Sequence, residues 1–206
     1  MSPEGPPHLD AAQRRRLLAI ARDSVRRRFD GDESADPPPD ALDQTFPPAS
    51  GTFVSLHRDD DLRGCVGTLT GDGPLPQQIW RIARSAAFHD PRFPPLQPDE
   101  LPDCEIEISV LTPLRRCAPD EVVVGRDGLC ISSGHQRGVL LPQVPTQAGW
   151  DREQFLAATC RKARLPEDAW RDPAVLLQRF EAEVFSEHEP TAPAGEVGHS
   201  GPTRSS

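Results

Sequence analysis

The sequence contains no tyrosine, one methionine and, among its 23 basic residues, a single lysine, Lys162. Arginine in place of lysine reads as the codon bias of a GC-rich genome and carries little functional information. Aromatic residues make up 5% of the chain, too few for the stacking platform on which single-stranded RNA recognition rests. A net charge of −9 also argues against a surface that coats nucleic acid. No apolar run approaches the roughly twenty residues of a membrane span, and Met1–Asp10 lacks a signal-like hydrophobic stretch, so a cytosolic protein is expected. Cys65, Cys104, Cys117, Cys130 and Cys160 include no C-x-x-C pair, which excludes the usual zinc-ribbon and iron–sulfur frameworks. No metal or cofactor is expected.

Proline, by contrast, is abundant at 24 residues, and its clusters mark where elements end. Between them, apolar residues recur with clear periods. Leu17, Leu18, Ala21, Val25 and Phe29 follow helical spacing from Asp10, with Asp10 and Gln13 placed as a capping box. Arg14–Arg16 and Arg26–Arg28 cover the other faces of this helix, either as a solvated surface or as a grip for phosphate or an acidic partner. Residues 31–50 hold five prolines and read as a loop. Strands are expected over 52–57 and 63–69, joined as a hairpin, then a helix carrying Leu75, Ile79, Ile82, Ala83 and Ala86 to His89.

An irregular crossing over 90–102 follows, with five more prolines. Cys104–Leu111 alternates Ile106, Ile108 and Val110 with Glu105, Glu107 and Ser109, the period of a half-buried strand. Further strands are expected over 122–124, 129–132 and 139–141, the last two as a hairpin about Ser133, Gly134 and His135. Asp151 and Gln154 cap a helix through Phe155, Leu156 and Cys160, with Trp150 as a staple before it. A final strand over 176–185 is expected to send Leu176, Phe180, Ala182 and Val184 to the core. Hairpins without regular strand–helix–strand alternation point to an α+β fold with a mainly antiparallel sheet and flanking helices. Residues 1–8 and the polar 187–206 are expected to be disordered ends of one domain spanning 9–186.

The chemistry concentrates in Leu62-Arg63-Gly64-Cys65-Val66-Gly67. Glycine permits close approach to the backbone, and a guanidinium beside a thiol favours the thiolate. Such a segment suits nucleophilic chemistry or anion binding; equally, Cys65 could be a small strand residue and the glycines a packing device. In His89-Asp90-Pro91-Arg92-Phe93, His89 could accept a proton with Asp90 orienting it, or the pair could simply end a helix. Glu105 and Glu107 share a strand face, where proximity could raise one carboxyl, or where both could face water. His57 and His135 stand alone in sequence.

Together, Leu62–Gly67, Asp90-Pro91-Arg92-Phe93-Pro94-Pro95-Leu96, Ser109-Val110-Leu111-Thr112-Pro113, Gly138–Val144 and Gly149-Trp150-Asp151 resemble the AMMECR family, and within it the proteins of the AmmeMemoRadiSam system. The resemblance covers residues 9–186. It implies an α+β fold with a larger and a smaller part, a cleft between them bearing the glycine–cysteine motif, and two companions, a Memo-like protein and a radical SAM protein. Val66 stands where isoleucine is usual, Gln147 where glutamate is common, and Arg164 where glycine is usual; the last suggests a different turn after the helix.

Two readings follow. In the first, Cys65 and His89 are catalytic candidates, and Arg63, Gly64, Gly67 and Arg92 hold a small anionic molecule that the protein binds or modifies. In the second, the protein is a non-catalytic adaptor for the Memo-like and radical SAM partners, docking through its basic helix.

Overall fold

The computed structural model describes residues 8–34, 36–42, 46, 51–59, 61–71 and 73–188. In chain order the elements are α1 (Ala11–Phe29), β1 (Gly51–Arg58), β2 (Asp61–Thr68), α2 (Leu75–Phe88), β3 (Cys104–Leu111), β4 (Arg115–Arg116), β5 (Asp127–Ser133), β6 (Gln136–Leu140), α3 (Gln143–Ala148), α4 (Arg152–Lys162) and β7 (Leu176–Ser186). The fold is α+β: a curled, antiparallel sheet runs β2-β1-β3-β7-β5-β6, with β4 also on β7. The expected disordered ends fall almost wholly outside the described residues. Glu187 and His188 are placed: Arg22 binds the Glu187 carboxylate at 2.5 and 2.6 Å, and the Ile106 amide donates to it at 2.9 Å.

Two cores form on this sheet. In the larger, Leu17, Ala21 and Val25 of α1 and Ile79, Trp80 and Ala83 of α2 cover Val54, Ile106, Ile108 and Phe185. The apolar spacing of both helices explains this, since one stripe of each faces the strands. In the smaller, Phe155, Leu156 and Cys160 of α4 cover Leu129, Ile131 and Leu177, with Trp150 packed at the edge. Both capping boxes form: Asp10 accepts from the Gln13 amide at 2.8 Å and Asp151 from the Gln154 amide at 2.9 Å. The basic face of α1 is largely paired internally. Arg14 meets Glu183, Arg26 and Arg27 meet Asp23, and Arg28 meets Glu33.

Several expectations are corrected. Residues 122–124 are not a strand: the chain leaves the short turn Pro119–Glu121 and bends at Gly125, whose φ of 85° suits glycine, while the Val123 amide and carbonyl are both taken by Asp127. α3, begun by Pro142 and containing Pro145, carries too short a pattern to be read as a helix. β3 is buried on both faces in its second half, where Ser109 and Leu111 are as enclosed as Ile108 and Val110. β7 alternates, but in the phase opposite to the expected one: Leu177 enters the smaller core and Phe185 the larger, while Phe180 lies over Gly128 on the other face.

At the end of α4, Arg164 adopts a left-handed φ of 59°. The Leu165 amide reaches the Cys160 carbonyl at 2.9 Å and the Arg164 amide reaches Arg161, also at 2.9 Å. These are the two bonds of a Schellman cap, whose left-handed position favours glycine. The turn is therefore the one a glycine would make, not a different one. Arg164→Gly is expected to raise stability by about 0.5 kcal/mol, the steric relief exceeding the added chain entropy; equilibrium urea unfolding measures it, and a loss would show that the arginine makes a compensating contact.

Candidate functional site

β2 is an edge strand, and an edge exposes unpaired amides and carbonyls. Cys65 lies opposite Ser55 of β1, itself opposite Glu107 of β3 and, across that strand, Ser186 of β7. Strand alternation puts Cys65, Ser55, Glu107 and Ser186 in one row on the face that α1 and α2 leave uncovered.

The outward amide and carbonyl of Cys65 are both capped by one residue pair. The Cys65 amide donates to Asp90 Oδ2 at 2.9 Å, and Arg92 Nη2 donates to the Cys65 carbonyl at 3.1 Å. Arg92 in turn grips Asp90 through Nε at 2.9 Å and Nη2 at 2.6 Å, and the Arg92 amide closes onto Asp90 Oδ1 at 3.1 Å. The Asp90–Arg92 segment thus serves β2 as a substitute neighbouring strand. The Asp90 side chain is 3% exposed and that of Arg92 48%. Arg92 holds the Asp90 carboxyl well below the usual carboxylate range, with the Cys65 amide adding to the effect against the cost of burial.

Arg63, two residues along the same strand face, is engaged differently. Its Nε and Nη2 donate to the two oxygens of Glu100 at 2.9 Å each, and Nη1 donates to the Pro94 carbonyl at 3.0 Å. This bidentate pair ties β2 to the proline-rich crossing and lowers Glu100 to about 2. Both glycines of the motif are occupied by packing: a methyl on Gly64 would lie 2.3 Å from the Ala86 carbonyl oxygen of α2, and one on Gly67 would lie 2.2 Å from the Phe53 ring.

His89 does not join this group. It forms the C-cap of α2, its amide bonded to Ser85, and its exposed side chain lines a separate cavity with Arg28, Ser34 and Arg81. Asp90 therefore orients Arg92 and the Cys65 backbone rather than His89. Glu105 and Glu107 also diverge: the Ser186 hydroxyl and the His188 amide hold Glu105 below its ordinary value, while Gln143 of α3 donates to Glu107 at 3.3 Å. Glu105 is therefore not the raised carboxyl of an acid–base pair. Gln143 Oε1 is buried without a hydrogen-bond partner among the described residues, and that position was not singled out by its sequence neighbourhood.

The thiols separate by environment. Burial pushes those of Cys104, Cys130 and Cys160 up, and that of Cys117 to about 11. Cys65 is partly exposed, on the edge strand, beside the Arg92 guanidinium. Among the described residues, no three His, Cys, Asp or Glu side chains gather as a metal-ligand set, and no helix is long and apolar enough to cross a membrane.

Comparison with known proteins places this arrangement among relatives. Protein TK0174 of Thermococcus kodakarensis is 42% identical over 188 residues, covering 86% of this chain and 91% of that one. Protein MJ0810 of Methanocaldococcus jannaschii is 44% identical over 156 residues, 71% of this chain and 78% of its own. The crystal structure of the uncharacterized protein PH0010 from Pyrococcus horikoshii matches with a TM-score of 0.74 at 40% identity, covering 86% of this chain and 92% of that one. The AMMECR1 family pattern matches residues 18–185, a span that includes the edge strand, the crossing and both cores, so the chain belongs to the AMMECR1 family.

Proposed function

We propose that the protein binds, and positions or modifies, a small anionic molecule at the row headed by Cys65, as a component of the AmmeMemoRadiSam system. The observation that carries this reading is the clamp on Cys65: Asp90 and Arg92 fix both backbone groups of a partly exposed cysteine while leaving a half-exposed guanidinium beside it. Such an arrangement presents a thiol and a cation to the same ligand, one as a potential nucleophile and the other as a charge partner for carboxylate or phosphate. Arg63 contributes by holding the crossing, since its own fork is filled by Glu100.

Competitive alkylation tests this. Cys65 is expected to react fastest of the five cysteines and to prefer iodoacetate over iodoacetamide, relative to free cysteine, by roughly fivefold, an attraction of about 1 kcal/mol from a partly screened guanidinium. No preference for the anionic reagent would remove the anion-binding reading. Loss of turnover by a Cys65→Ser protein in the reconstituted system would support modification; full turnover together with an inert Cys65 would remove the nucleophile.

The alternative, an adaptor that docks a Memo-like and a radical SAM protein through the basic helix, has weaker support. Arg14, Arg22, Arg26, Arg27 and Arg28 each meet a carboxylate of this chain, which leaves that face less cationic than its sequence suggests.

A further inference from the structure

Where β4, β5 and β7 meet, two like-charged pairs stand directly opposite one another in the ladders: Arg115 faces Arg179, and Asp127 faces Glu181. Like charges in such positions destabilise a sheet unless something lies between them. For the acids the chain supplies it. Arg126 binds Asp127 bidentately at 2.8 and 2.9 Å and comes within 3.7 Å of Glu181. For the arginines it does so only in part: Arg179 donates to Asp127 Oδ1 at 3.5 Å, and the Arg115 side chain has no hydrogen bond or ion pair among the described residues.

These five side chains, with Thr112, line a cavity of about 260 Å³. Three guanidiniums and two carboxylates leave it one positive charge in excess, in a protein whose net charge is −9. Asp127 is wholly buried and faces Arg126, and Thr112 is locked to β7 by exchanging two hydrogen bonds with Glu181, its amide to the Glu181 carbonyl at 2.9 Å and its hydroxyl accepting from the Glu181 amide at 2.8 Å. These bonds fix the frame from which Arg115 and Arg179 line the cavity.

We propose that this cavity is a binding site for a small oxyanion, a phosphate or carboxylate group whose paired oxygens bridge Arg115 and Arg179. A guanidinium fork matches such groups geometrically, and a bridging anion turns the repulsion between Arg115 and Arg179 into two attractions. The site is separate from the Cys65 row, because Arg179 and Glu181 occupy the alternate face of β7 from Ser186.

Titration calorimetry of the full chain at low ionic strength, with inorganic phosphate and with succinate as probes, tests it. Saturable binding is expected for at least one probe, weakened about tenfold or more by Arg115→Gln or Arg179→Gln, the usual loss for a charged hydrogen-bond partner. It should be unchanged by Arg116→Gln. Binding of phosphate alone would identify a phosphorylated ligand, and of succinate alone a carboxylate. In addition, Arg115→Gln should leave the ligand-free protein no less stable than the wild type, because it removes a repulsion. Absence of binding by both probes at about 10 mM, equal binding by Arg115→Gln, or marked destabilisation by that substitution would each overturn the proposal.

Discussion

Asp90→Ala is expected to lower the stability of the protein by about 3 kcal/mol, the cost of leaving buried donors and a charged partner uncompensated. Asp90 is nearly fully buried and accepts from the Cys65 amide, the Arg92 amide and the Arg92 guanidinium. Removing it breaks all of these together, whereas Arg92→Ala leaves Asp90 with its two amide donors and should cost less. Urea unfolding measures both, and hydrogen exchange at the Cys65 amide locates the damage. A loss below about 1 kcal/mol, the range of an ordinary surface ion pair, would mean that the crossing does not hold the edge strand.

The same residues set the acid limit. The carboxyls of Asp90 and Glu100 are both held below their ordinary values, Glu100 at about 2. A depressed carboxyl contributes its full stability above the unfolded-state value near 4, and loses it as pH falls through the folded-state value. Stability should therefore decline from about pH 4.5 towards pH 2, and Glu100→Gln should flatten the Glu100 share of that slope.

Gly64→Ala is expected to be comparably damaging, at about 3 kcal/mol or roughly 6–12 °C in melting temperature for a domain of this size. The added methyl would meet the Ala86 carbonyl of α2 at 2.3 Å, and α2 is fixed against α1 by Ile79, Trp80 and Ala83. Helix backbone cannot rotate out of the way as a side chain can. Gly67→Ala makes a second case, since its methyl would meet the Thr52 carbonyl oxygen of β1 at 2.6 Å as well as the Phe53 ring, and strand backbone cannot turn aside as a ring can. The cost there should be comparable, at about 3 kcal/mol. A loss below about 1 kcal/mol for Gly64→Ala in differential scanning calorimetry would show that α2 can shift, and that the spacing between β2 and α2 is softer than the packing implies.

Local periodicity made the helices and most strands legible. α1, α2 and α4 each bury one stripe, so their apolar spacing, and the caps of α1 and α4, are readable in the amino-acid order, and β1–β2 and β5–β6 pair antiparallel as expected of hairpins. Where an element is buried on both faces, periodicity loses its meaning. That is why β3 conceals Ser109 and Leu111 and why β7, with Leu177 and Phe185 buried on one face and Phe180 on the other, does not reveal which phase meets the two cores. α3 and β4 span six and two residues, less than the length over which a repeat can be recognised.

At the site, the motif around Cys65 was visible as a cluster of glycine, arginine and cysteine, but its partners were not. Asp90 sits next to His89 in sequence and serves Cys65 in space, because the chain turns at the end of α2 and sends the two side chains to different surroundings. Nothing in the order of Arg115, Arg126, Asp127, Arg179 and Glu181 announces a shared cavity; ladder register brings them together.

By itself, then, the sequence determined the fold class, the helices and hairpins, the family likeness and the strand that carries Cys65, because these depend on spacing over a few residues. Tertiary structure alone decided which charges meet. It paired Arg63 with Glu100 and Arg92 with Asp90, parted His89 from Cys65, and set Arg115 opposite Arg179. Ion pairing depends on distances across strands and crossings that are remote in sequence, and those distances exist only once the sheet has formed.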